Sequence, residues 1–96
     1  MKGSYIGKPA GGKLLRVDLE WDDGVVKKLS IRGDFFAHPE ERFDEAEAAM
    51  VGAPVDGLAA ALDAVLRKAG VTLYGLSASD IGVAVDVIMA GQAVQP

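Results

Sequence analysis

The sequence predicts an α+β fold, a two-layer domain in which an N-terminal antiparallel β-hairpin is followed by three helices. Three observations carry that expectation. Apolar and polar residues alternate over residues 14–32, as in strands with one buried face. From residue 39 onward, apolar residues recur at helical spacing. Between the two patterns lies His38-Pro39-Glu40-Glu41, whose proline and first-turn glutamates suit the start of a helix.

The 96 residues suffice for one domain with one modest core. A composition of 50% hydrophobic and 25% charged residues is that of an ordinary globular chain. The formal net charge is −4 and the longest basic cluster is Lys27-Lys28. Nucleic-acid binding is therefore excluded as the main task, because neutralising phosphates takes clustered Lys and Arg. The chain has no cysteine, which removes disulfides, thiolate nucleophiles and Cys-ligated metal from consideration. No stretch matches a signal peptide or approaches the ~20 apolar residues of a membrane span. A cytoplasmic protein that does not enter membranes is the expectation.

Residues 1–12 contain four glycines and one proline and show no periodicity, so they read as a flexible arm, with the domain proper spanning residues 13–96. Residues 7–13 match the Gly-x4-Gly-Lys part of a phosphate-binding loop, but Leu14 replaces the Ser or Thr that would hold Mg²⁺. The motif also opens a strand where it should open a helix. It reads as a coincidence.

In the first strand Leu15, Val17, Leu19 and Trp21 face one way, and Leu14, Arg16, Asp18 and Glu20 the other. Asp22-Asp23-Gly24 reads as a three-residue hairpin loop, with Gly24 taking the positive φ. This register pairs Trp21 with Val25, Val17 with Leu29, Leu15 with Ile31, and Asp18 with Lys28 on the wet face. A two-residue loop would instead set Leu19 against Lys28 and Val17 against Ser30, mixing the faces. The second strand then continues through Gly33 to Phe35 on its inner side. Phe36 points outward, either covered by the following helix, which is the favoured reading, or free to anchor a partner. Val26 raises the same question.

The first helix is expected over residues 39–50, with Pro39 as its first helical residue, Phe43, Ala46 and Met50 inward, and Asp44, Glu45 and Glu47 on a solvated face. Asp56 can cap a second helix whose Leu58, Leu62, Val65, Leu66 and Ala69 make one buried face, closed by Gly70. Residues 71–75 read as a connector. Ser77 and Asp80 form a capping-box pattern for a last helix with Ile81, Val85, Ile88 and Met89 inward. Residues 81–87 also alternate as a strand would, but Ala84, Ala90 and the cap signals favour helix.

His38, the only histidine, is the natural candidate for acid–base work. Its neighbours Asp34, Glu40 and Glu41 define no partner geometry, so a structural or interface role is favoured over catalysis. Metal binding has no support from spacing.

One resemblance covers residues 8–95. Gly11-Gly12-Lys13-Leu14, the strands over residues 17–20 and 28–32, Gly33-Asp34-Phe35-Phe36 followed by Pro39-Glu40-Glu41, and Val51-Gly52 closing the first helix resemble, in order and spacing, the accessory domain of lipoate–protein ligases. The resemblance implies a non-catalytic subunit of a split ligase. A separate catalytic subunit would bind lipoate and ATP with Mg²⁺, form lipoyl-adenylate, and transfer lipoyl to a lysine of an acceptor such as the glycine cleavage H protein or a 2-oxoacid dehydrogenase acyltransferase. This chain, starting at Met1 and ending at residue 96, resembles the split arrangement and would bind no cofactor alone. The accessory domain is also similar in fold to iron–sulfur scaffold and sulfur-acceptor proteins, whose chemistry needs the cysteine missing here.

Under that resemblance, Gly11, Gly12, Lys13, Gly33, Asp34, Phe36 and His38 are expected to form one patch that docks on the catalytic subunit. Lys13 would approach a phosphate or carboxylate across the interface; the plainer reading makes it a solvated charge at a strand start. An interaction or oligomerisation module, and a small enzyme using His38, are the alternatives.

Overall fold

The structure is a computed structural model that describes residues 1–8 and 13–94, with side chains described through residue 91. Its main sheet has three antiparallel strands, β1 (Lys2–Gly7), β2 (Leu15–Asp22) and β3 (Val25–Gly33), in the order β1-β2-β3. Three helices, α1 (Glu40–Ala49), α2 (Leu58–Ala69) and α3 (Ala78–Val94), form the second layer. A separate two-stranded antiparallel sheet joins β4 (Phe36–His38) to β5 (Thr72–Tyr74). The α+β class is as the sequence predicts.

The core lies between the inner face of β2 and β3 and the helices. Leu15, Val17, Leu19, Trp21, Val26, Leu29 and Ile31 meet Phe43, Ala46, Met50, Leu58, Leu62, Leu66, Ile81 and Ile88 there. β2 alternates as its sequence requires. α2 turns Leu58, Leu62 and Leu66 inward and ends at Gly70 with φ 73, a left-handed conformation that costs glycine no Cβ clash. Gly70 N–H donates to the Arg67 carbonyl (3.1 Å) and Val71 N–H to that of Leu66 (2.9 Å), satisfying the last helical carbonyls. The α3 capping box forms reciprocally: Ser77 N–H donates to Asp80 Oδ2 (3.0 Å) and Asp80 N–H to Ser77 Oγ (3.2 Å). That cap, with Ile81, Ala84, Val85 and Ile88 buried, settles residues 81–89 as helix.

Several expectations are corrected. Residues 2–7 of the expected arm are strand β1, paired regularly with β2 from Lys2↔Glu20 to Gly7↔Leu15. Its glycines hide the alternation. Residues 9–12, and with them Gly11 and Gly12, lie outside the described residues. The hairpin turn has two central residues, Asp23 (φ 51) and Gly24 (φ 73), both left-handed as a type I′ turn requires. Lys27 is then bulged out, because the ladder steps from Trp21↔Val26 to Glu20↔Lys28. The bulge restores face matching beyond the turn, giving Leu19↔Leu29 and Val17↔Ile31, with Asp18 opposite Ser30 and Leu15 opposite Gly33. Val26 is therefore fully buried, and Val25 lies nearer the surface.

The helix starts shift as well. Pro39 is the cap residue before α1, with extended backbone, and no longer the first helical residue. Gly57, not Asp56, precedes α2, and no side chain caps that end. Glu47 is buried instead of solvated. Its Oε2 accepts from Ile31 N–H (2.8 Å) and from Arg32 Nη1 (3.1 Å), so α1 supplies an acceptor to the outer edge of β3. Farther along that edge, Val26 N–H donates to Ala53 (2.8 Å) and Gly52 N–H to Val26 (2.8 Å). The edge of β3 is thereby covered at both ends.

Candidate functional site

β3 ends at Gly33, and the chain turns before β4. A Cβ at Gly33 would collide with the carbonyl oxygen of Leu14, so only glycine permits this close crossing of the start of β2. Asp34 N–H donates to that same carbonyl at 2.9 Å and fixes the turn. Phe35 is consequently not on β3. It lies half-buried in the connector and stacks edge-to-face on Phe43 of α1, with ring centroids 5.6 Å apart at 66°.

With Phe35 inward, Phe36 faces outward on β4, and it is 78% exposed. No helix covers it. Directly across the ladder stands Tyr74 of β5, itself 56% exposed. The expectation that residues 71–75 merely connect is corrected here, since β5 pairs with a strand more than thirty residues earlier and completes an aromatic pair.

These residues wall an open cleft of about 640 Å³, lined by Lys13, Gly33, Asp34, Phe35, Phe36, Tyr74 and Gly75. A Cβ on Gly75 would lie 3.2 Å from Lys13 Cγ, which places the lysine stem against the β5 end. Lys13 and Asp34 give the cleft one charge of each sign, and both are exposed. The structure thus brings four of the expected patch residues, Lys13, Gly33, Asp34 and Phe36, into one cleft. His38 shares the outward face of β4 with Phe36 and sits opposite Thr72, but it does not line the cleft. Tyr74 and Gly75 were not foreseen. The available signal was the Thr72-Leu73-Tyr74 run, β-prone but too short for periodicity to register.

A polar cluster occupies the bare face of the main sheet. Ser4 Oγ donates to Asp18 Oδ1 (2.6 Å) and Arg16 Nε to Asp18 Oδ2 (3.1 Å). The Ser4 hydroxyl first, then Arg16 and the charge of Lys28, hold the Asp18 carboxyl below its ordinary value, while burial opposes them. Among the described residues no group of three or more His, Asp or Glu side chains is placed to hold a metal ion. No described helix is long and apolar enough to cross a membrane.

No known family pattern matches the chain, and no curated protein sequence matches it. Among solved structures it is similar to a chain from an archaeal lipoylation system, a bi-partite lipoate protein ligase and its E2 lipoyl domain from Thermoplasma acidophilum. The identity is 27% and the TM-score 0.70, over 88% of this chain and 97% of the other. The fold and cleft define a small domain that displays an aromatic pair. Its structural neighbour belongs to a lipoylation system.

Proposed function

We propose that this chain is the accessory subunit of a split lipoate–protein ligase, required by a separate catalytic subunit for ATP-dependent formation of lipoyl-adenylate. The acyl group would then pass to a lysine of an acceptor protein such as the glycine cleavage H protein or a 2-oxoacid dehydrogenase acyltransferase. The supporting observation is the near end-to-end match, at 27% identity, with a chain from an archaeal system that contains a bi-partite ligase. The exposed Phe36–Tyr74 pair points the same way. Apolar area left outside the core contributes little to folding, and buried aromatics are the usual anchors of interfaces.

On this reading the catalytic subunit holds lipoate, ATP and Mg²⁺, and the cleft docks against it. Lys13 and Asp34 orient the contact, and Lys13 is placed to meet an anionic group across it. Docking activates only if the catalytic subunit in its competent state binds the cleft more tightly than in its idle state. The same archaeal system also contains a lipoyl domain, so the opposite role, acceptor instead of activator, is tested alongside. The experiment measures lipoyl-adenylate formation by the purified catalytic subunit with and without this chain, and the mass of this chain after the reaction. Faster adenylate formation with an unchanged mass is expected. Equal rates overturn the proposal, and a lipoyl-sized mass increase on this chain makes it the acceptor.

A further inference from the structure

The two edges of the main sheet are treated differently. Along β3, the outward backbone groups of Val26 and Ile31 are met by residues 52–53 and by Glu47. Along β1, no described residue plays that part. Met1 and Trp21 exchange backbone hydrogen bonds, the amino group donating to Trp21 O (2.8 Å) and Trp21 N–H to Met1 O (2.9 Å). In an antiparallel ladder such pairs alternate, so Gly3, Tyr5 and Gly7 bond to β2, while the N–H and C=O groups of Lys2, Ser4 and Ile6 point away from it. Natural edge strands are normally guarded by charge, proline or a bulge. β1 has none of these beyond Lys2, and its register is regular.

An apolar helix flank lies on the same side of the molecule. α3 packs on β1 and β2 and against α2, while α1 packs on β3, so α3 is the outer helix above the β1 edge. Gly82 faces Ala59 of α2. Val83 and Val87 are turned roughly 100–140° from Gly82 around the helix, away from α2. They are 48% and 50% exposed.

We infer that this side pairs with a second copy of the chain, β1 against β1 in antiparallel register about Ser4, with the two α3 flanks in contact. Self-complementarity decides for a second copy. In this register Lys2 of each chain falls opposite Ile6 of the other, so the lysine stem covers an isoleucine that is 64% exposed in the single chain. Each chain's Lys2, Ser4 and Ile6 then exchange backbone hydrogen bonds with the other's Ile6, Ser4 and Lys2, and the two sheets become one. A two-fold axis makes such an interface closed. None of the cleft residues lies on β1 or α3, so the pairing leaves the cleft free and does not rest on the ligase reading.

The test is sedimentation equilibrium of the whole chain from micromolar to millimolar concentration, with circular dichroism as the check on folding. A dimer is expected for the natural sequence. Ser4→Pro removes an outward N–H that β2 does not use and should weaken the dimer by about tenfold or more. Ser4→Ala, which loses only the hydroxyl, should leave it intact. Val87→Lys should weaken it through the helix flank, and it carries the test if the proline variant does not fold. A monomer at every concentration, or a dimer that Ser4→Pro and Val87→Lys leave untouched, overturns the inference.

Discussion

The two sheets of this domain use similar residues for opposite ends. In the main sheet, strands adjacent in sequence bury a full row of apolar side chains, from Leu15 to Trp21 and from Val26 to Ile31, beneath the helices. In the small sheet, strands of three residues bury Ala37 and Leu73 only in part and leave Phe36 and Tyr74 in water. Apolar area removed from water is what stabilises the fold, at about 25 cal/mol per Å². By that measure the first sheet stabilises the domain, and the second retains apolar area that a partner can still bury.

The largest effect that tests this contrast comes from matched truncations in the two sheets. Leu19→Ala in β2, at a site 1% exposed, should cost about 2–5 kcal/mol in urea unfolding. Phe36→Ala in β4 should change stability by about 0.5 kcal/mol or less and, under the proposed function, should weaken stimulation of a catalytic subunit. Comparable losses of stability from both would erase the distinction. A smaller effect is expected at the covered edge of the main sheet. Glu47→Ala leaves Ile31 N–H without its acceptor and should cost about 1–3 kcal/mol, with Glu47→Gln recovering part because it keeps an acceptor.

The smallest effect is acid-dependent and lies on the bare sheet face. Asp18 has a folded-state pKa below its ordinary value of 3.8, so the stability it contributes is present above that value and is lost as pH falls through the lower, folded one. Ser4→Ala removes the largest cause of the shift. Thermal unfolding should then show a shallower loss of stability below about pH 4 than in the natural sequence. An unchanged acid limb would mean that the Ser4 hydrogen bond does not operate in solution.

Much of the architecture was legible in residues close together in the chain. The alternation of β2, the apolar stripe of α2 with Gly70 behind it, and the Ser77–Asp80 box each depend on groups within a turn or two of one another. The patch expected under the resemblance included Lys13, Gly33, Asp34 and Phe36, which line one cleft because Gly33 crosses closely over the start of β2. The reading failed where partners were distant or a single residue shifted the register. The Lys27 bulge exchanges the faces of Val25 and Val26, and no local pattern requires a bulge there.

The sequence by itself determined the class of fold, the presence of the three helices, the Gly70 end of α2 and the Ser77–Asp80 start of α3, and which face of β2 is buried, since periodicity and these caps are short-range. Only the tertiary structure decided that the glycine-containing N-terminus is a strand whose outer edge no described residue covers, that Glu47 leaves the solvated face of α1 to serve β3, and that Tyr74 stands across from Phe36. Each of those outcomes depends on which surface arrives beside a residue once the layers close. A buried acceptor, an open edge and a cross-strand aromatic pair are properties of two segments in contact, and neither segment specifies them alone.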